Sequence, residues 1–188
     1  MRCQLCLNLS WQPICKNCLE IILKPTPTKR VLEDGLVVYS AYSYEDIKKL
    51  LHTKHTYYGA KIFAQLTKHA LLPLIKTFRS KEVFSIPIDD HIRNGYSHSA
   101  VIAKELREHF KPIYKSLRAK NHIRYSGKEL NIRQKIKRDF ILTCKENLDV
   151  VLIDDIVTSG STLIEANTTC KEGNLQVLFA ITLADASL

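Results

Sequence analysis

Residues 149–172 constrain the fold more than any other stretch of this chain. Val150-Val151-Leu152-Ile153 is a continuous apolar run, the pattern of a strand buried on both faces. It leads into Asp154-Asp155, then Ile156-Val157-Thr158-Ser159-Gly160-Ser161-Thr162, and a helix is predicted over 161–171, ending near Gly173. A strand covered on both faces needs helices on both sides, which implies an α/β domain with a mostly parallel sheet. In such sheets ligands bind beyond the carboxyl ends of the strands, so the strand is predicted to run over 149–154 and to deliver both acids to a site.

The residue types there suit one kind of ligand. Adjacent carboxylates at a strand end are costly unless something accepts them, and the two hydroxyls of a ribose or a hydrated Mg²⁺ would do so. Backbone amides at a helix start face an incoming anion. Gly160 lets the backbone come close to a phosphate, while Thr158, Ser159, Ser161 and Thr162 can donate side-chain hydrogen bonds. A helix cap alone would use one or two hydroxyls, not four beside a carboxylate pair. The combination points to a phosphorylated ribose. Neither GxxxxGK[ST] nor GxGxxG occurs in the chain.

The opening 22 residues hold Cys3-x-x-Cys6, eight residues, then Cys15-x-x-Cys18. Two such pairs complete a tetrahedral sulfur shell for structural Zn²⁺, and so small a unit depends on the metal for folding energy. The predicted organisation is a four-cysteine module over 1–23, a linker over 24–30 (KPTPTKR, with two prolines) and one domain over 31–188. Within that domain, strands are predicted over 36–42, 82–88, 112–117 and 175–183, with helices over 46–51, 60–75 and 99–110. Ser97 or Ser99 is the expected cap of the last helix. No apolar run approaches the roughly 20 residues that cross a bilayer, and no signal core opens the chain. The expectation is a cytoplasmic protein without a transmembrane segment, at most peripheral at the inner face of the membrane.

Charge is concentrated. Of a formal net charge of +9, all is carried between Lys104 and Arg138, where 12 Lys or Arg residues meet three acids. One reading is a solvated face or loop, and 118–138 is polar enough to be a long exposed loop or a loosely held helix. The other is a footprint for a polyanion, with Lys111, Lys115, Arg118, Lys120, Arg124, Lys128, Arg133, Lys135, Lys137 and Arg138 contacting phosphates. Tyr125 is the candidate for base stacking, whereas Tyr114, in a predicted strand, is expected in the core.

VLIDDIVTSGSTL resembles the signature of type I phosphoribosyltransferase folds, in which the acids hold the ribose hydroxyls and the following loop wraps the 5′-phosphate. The whole chain resembles the ComF family of competence-associated proteins, which join a four-cysteine zinc module to such a domain. Residues 47–59 (IKKLLHTKHTYYG) are similar to that family's segment with a lysine, an aromatic and a glycine, which places Lys54 near the ligand. Residues 86–103 resemble its proline-bearing strand, loop and helix, where Arg93, Asn94 and Gly95 would meet pyrophosphate. Residues 124–140 resemble its basic stretch ending in phenylalanine. Where that family shows Arg-Gly-Phe-Asn-Gln, this chain has Asn94-Gly95-Tyr96-Ser97-His98. The resemblance implies phosphoribosyl pyrophosphate with Mg²⁺ as ligand, single-stranded DNA as a second partner during natural transformation, and contact with DNA-uptake or recombination proteins. It leaves open an active phosphoribosyltransferase acting on an unidentified acceptor, and a role for the basic stretch as a lid over the ligand.

Overall fold

The computed structural model describes residues 1–76, 78, 82–88, 95–120, 138–144 and 147–187. Arg93, Asn94, Arg124, Tyr125, Lys128, Arg133, Lys135 and Lys137 lie outside the described residues. Six strands form the main sheet: β1 (Thr28–Val31), β2 (Val37–Ser43), β3 (Phe84–Pro87), β4 (Lys111–Pro112), β7 (Asp149–Val157) and β8 (Gln176–Asp185). Their order is β1-β2-β8-β7-β3-β4, and every pairing is parallel except β1 with β2. A separate antiparallel ribbon joins β5 (Leu117–Ala119) to β6 (Phe140–Leu142).

Both faces of the sheet are covered, as the apolar run over 150–153 requires. Val151 and Ile153 pack on one side with Ile47, Phe63 and Ile102, from α1 (Tyr44–Leu51), α2 (Gly59–Leu66) and α4 (His98–Glu105). Val150 and Leu152 point to the other side, toward Leu163, Ala166 and Cys170 of α5 (Ser161–Glu172). The predicted helix over 60–75 is one path with a fault in it. After α2 a π turn (Thr67–Leu71) precedes α3 (Leu72–Ile75), whose second residue is Pro73. Proline lacks the amide that would continue the ladder, and the wider turn absorbs that loss.

Three sequence expectations are corrected. Residues 28–30, assigned to the linker, belong to β1, an edge strand where the preceding prolines are tolerated. The strand predicted over 112–117 is broken by a turn, with Lys115 at φ 61° between β4 and β5. Tyr114 sits on that turn and is 44% exposed rather than in the core.

The cysteine module is built into the core rather than appended to it. Cys3, Ile14, Cys18 and Leu23 are buried in the same cluster as Phe63 and Leu66. Gln65 of α2 fastens the module: its Oε1 accepts from the Ile14 amide and its Nε2 donates to the Ile14 carbonyl, both at 2.9 Å. Substituting Gln65→Ala leaves both backbone groups of a fully buried residue without these partners. The expected cost is about 1–3 kcal/mol in urea unfolding, with hydrogen exchange at the Ile14 amide rising more than in the sheet.

Candidate functional site

The site follows from where the chain turns after β7 and β3. These strands are neighbours, yet β7 runs on into α5 on one face while β3 is followed by α4 on the other. Adjacent strands whose connections leave on opposite faces open a crevice at their carboxyl ends. Pairing with β3 stops at Ile153, where Ile153 O still accepts from the Ile88 amide at 2.8 Å. The strand itself does not stop at Asp154, as predicted from the sequence, but continues through Val157, paired with β8 alone. Asp154 to Val157 therefore stand beyond the pairing with β3, at the carboxyl end where folds of this topology bind ligands, and the loop over 158–160 follows.

Strand geometry gives the two acids different surroundings. Asp155, nearly buried, is turned toward the α1–α2 connection, where its Oδ2 lies 3.3 Å from Lys54 Nζ. Burial would raise its pKa, but the charges of Lys54 and then His98 outweigh this and hold it below the ordinary carboxylate range. Asp154 is pushed well above that range, first by burial and then by the Asp155 charge, with Arg138 opposing. Its Oδ1 accepts from the Asp155 amide at 2.8 Å. Lys54 thus favours the charged form of Asp155, while burial and the neighbouring charge favour the protonated form of Asp154. Such a divided pair offers both an acceptor and a donor to vicinal hydroxyls.

The hydroxyl loop is braced from behind. Gly160 has φ 84°, a conformation that favours glycine, and a methyl group there would come within 2.6 Å of Leu32 Cδ2. Arg30 on β1 donates from Nη1 to the Thr158 carbonyl at 2.7 Å and to Asp185 Oδ1 at 3.3 Å. Asp185 is 2% exposed and also accepts from the Ser187 amide and hydroxyl. This clamp ties up the loop's carbonyl side, while Thr158, Ser159 and Ser161 stay exposed. Ser159 and Ser161 share a hydrogen bond at 3.0 Å, and Ser161 and Thr162 are the first two residues of α5. Gly160, not a hydroxyl residue, occupies the cap position.

Sequence reasoning missed Arg30 and Leu32, because the first lay in the supposed linker and both act across more than 120 residues. It also missed the work of Tyr96, whose hydroxyl donates to the Lys54 carbonyl at 2.8 Å. Gly95, beside it, has φ 88° and opens into empty space. Of the basic residues, Lys111, Lys115, Arg118 and Lys120 are exposed around the β5–β6 ribbon, and Lys111 Nζ stands 5.9 Å from the Phe84 ring centroid. Arg138 is half-buried near Asp154, and its amide, like that of Asp139, donates to Glu165 of α5.

The four cysteine sulfurs lie within 4.8 Å of one another. Cys3 and Cys18 are 3.8 Å apart, Cys6 and Cys15 3.7 Å. A disulfide needs about 2.05 Å. A tetrahedron with Zn–S bonds of about 2.3 Å has edges of about 3.8 Å, so the donors fit zinc. Burial alone would raise Cys3, but the amides of Cys15, Cys6 and Leu5 bring its thiol down to about 6. Cys18 is pushed up to about 12, first by burial and then by its three cysteine neighbours.

Two surface grooves lie elsewhere. One of about 480 Å³ runs between the cysteine module and α2, lined by residues including Trp11, Lys61 and Gln65. The other, about 380 Å³, is at the opposite ends of β7 and β8, beside Asn147 and Gln176. Neither touches the acid pair. Among the described residues no helix is long and apolar enough to cross a membrane.

No family model matches the chain, and no curated protein does. Solved structures are similar to it. Adenine phosphoribosyltransferase from Thermoanaerobacter pseudethanolicus matches at 16% identity over 89% of this chain and 87% of its own, with a TM-score of 0.43. Orotate phosphoribosyltransferase from Francisella tularensis matches at 18% identity, over 88% and 67%, with 0.42. Orotate phosphoribosyltransferase from Aeropyrum pernix matches at 17% identity, over 90% and 80%, with 0.39.

Proposed function

We propose that the chain binds phosphoribosyl pyrophosphate with Mg²⁺ in the crevice between β7 and β3, and that it handles single-stranded DNA during uptake in natural transformation. The observation that carries the first half is the joining of Asp154 and Asp155 to a Gly160-centred hydroxyl loop whose carbonyl side is already clamped by Arg30. Asp154 and Asp155 would face the ribose hydroxyls or the water shell of Mg²⁺, which supplies charge neutralisation of the pyrophosphate. Thr158 to Thr162 would take the 5′-phosphate. Lys54, Arg93, Asn94 and Gly95 would lie on the pyrophosphate side, with Lys54 also paired to Asp155.

Calorimetric titration with phosphoribosyl pyrophosphate and Mg²⁺ tests this. One site per chain is expected, and Asp154→Ala with Asp155→Ala should lose at least roughly tenfold in affinity. Equal binding by the double variant, or none by the native chain, would sink the reading.

The second half rests on the localised charge. Lys111, Lys115, Arg118 and Lys120 alone, if each neutralises a phosphate, give a log–log salt slope of about −3 for an oligonucleotide. A flat salt response would remove DNA from the account. Release of pyrophosphate with one of a panel of bases would instead favour a transferase, for which the same crevice serves. A cytoplasmic site of action, peripheral to the membrane where DNA enters, and contact with uptake or recombination proteins belong to the same proposal.

A further inference from the structure

The connection between α1 and α2 does more than carry Lys54. It ends in Tyr57 and Tyr58, which are 82% and 44% exposed. Their rings meet edge to face, with centroids 5.6 Å apart and planes at 80°. An edge-to-face contact covers the edge of one ring and one face of the other, so π-faces of both rings are left uncovered by it. Single exposed aromatics are ordinary, but two in sequence on one turn lose apolar burial for which the fold shows no return.

That turn is held rigidly. The Tyr96 hydroxyl donates to the Lys54 carbonyl at 2.8 Å and approaches the Thr56 carbonyl at 3.5 Å. Thr56 donates through its amide and hydroxyl to the Thr53 carbonyl, both at 2.8 Å. Gly59 closes the turn, and a methyl group there would fall on the Tyr96 hydroxyl and the Thr53 carbonyl. Three residues before Tyr57, Lys54 reaches Asp155. The same short segment thus borders the acid pair at one end and displays bare aromatic surface at the other. Lys61, one turn into α2, is exposed. Rigid aromatic surface beside cations is what unpaired bases stack upon, since every base has a π-face and every linkage a phosphate.

We propose that Tyr57, buttressed by Tyr58, is a stacking subsite for an unpaired nucleobase next to the sugar-phosphate crevice. The inference rests on the reading above that the chain binds ribose-phosphate compounds or single strands. The base is supplied either by a single-stranded chain or by a free nucleotide, and the two are separable.

The test uses the full chain, fluorescently labelled oligo(dT) of 20 residues, and AMP. With Tyr57→Ala, affinity for oligo(dT) should fall about 5- to 100-fold at every salt concentration while the log–log salt slope stays unchanged, because stacking releases no counterions. Tyr57→Phe keeps the π-face and should bind within about twofold of the native chain. If only AMP binding falls in Tyr57→Ala, the base comes from a free nucleotide, and the subsite stands. If the native chain binds oligo(dT) or AMP and Tyr57→Ala binds both equally well, the subsite is refuted while the crevice reading survives. If Phe fails as badly as Ala, the role is not stacking and the inference falls. If the native chain binds neither probe but does bind phosphoribosyl pyrophosphate, the subsite alone falls; if it binds none of the three, both fall.

Discussion

Replacing Cys18 by serine is expected to strip one equivalent of zinc from the chain and to lower its melting temperature by roughly 6–24 °C. The figure starts from what a metal on the four sulfurs would hold in place. Ile14 and Leu23 are fully buried against α2 and the π turn, and they stay there only while the loops on either side of them are closed. Losing the burial of two large aliphatic side chains costs about 3–6 kcal/mol. In a domain of this size each kcal/mol shifts the midpoint by about 2–4 °C. A metal on an independent appendage would give a different result, because the main transition would stay put. Elemental analysis of the purified chain and scanning calorimetry of both forms decide the matter. A Cys18→Ser chain that holds no zinc and melts with the native one would show that the cluster holds nothing in the core together.

What could be read from the residues alone was whatever repeats locally. The apolar run over 150–153 announces a doubly covered strand because each of its side chains has to leave water on one face or the other, and Val150 to Ile153 do alternate between the two clusters. The cysteine spacing announces a metal shell because four sulfurs at that spacing have few other uses. The end of β7 was misjudged for an equally physical reason. Two aspartates are poor strand formers, but β8 extends alongside to Asp185 and its backbone pairing overrides the local preference. Arg30 and Tyr96 act through carbonyl oxygens of Thr158 and Lys54, distant in sequence, and no periodicity encodes a partner of that kind. The Tyr96 hydroxyl is what pins the Lys54 turn. The acid pair was legible as a pair; the opposite pulls on its two members were not, because Lys54 and His98, which lower Asp155, reach it from other parts of the chain.

That division leads to the second large effect, in the variant Lys54→Met. Asp155 is nearly buried, and the Lys54 ammonium is the main charge opposing the cost of that burial. Removing one member of such a pair leaves a carboxylate in a poor medium, at about 3 kcal/mol, the lower end of the usual range because the Lys54 side chain is 30% exposed. The loss should depend on pH in a defined direction. An unfolded aspartate titrates near about 3.9, and Asp155 in the native fold lies lower. A group lowered by folding stabilises the fold above its unfolded pKa, and that stabilisation disappears as pH falls through the folded value. In Lys54→Met burial acts with less opposition and the folded pKa moves up, so the variant loses stability as pH rises through it. The deficit is therefore full near pH 7 and closes as pH falls to about 4 and below. Urea unfolding of the two chains across this range measures it. Adding Asp155→Asn to Lys54→Met should recover most of the loss at pH 7, since an amide leaves no charge to neutralise. A deficit that ignores pH, or that Asp155→Asn fails to relieve, would mean that Lys54 serves through packing of its stem rather than through its charge on Asp155.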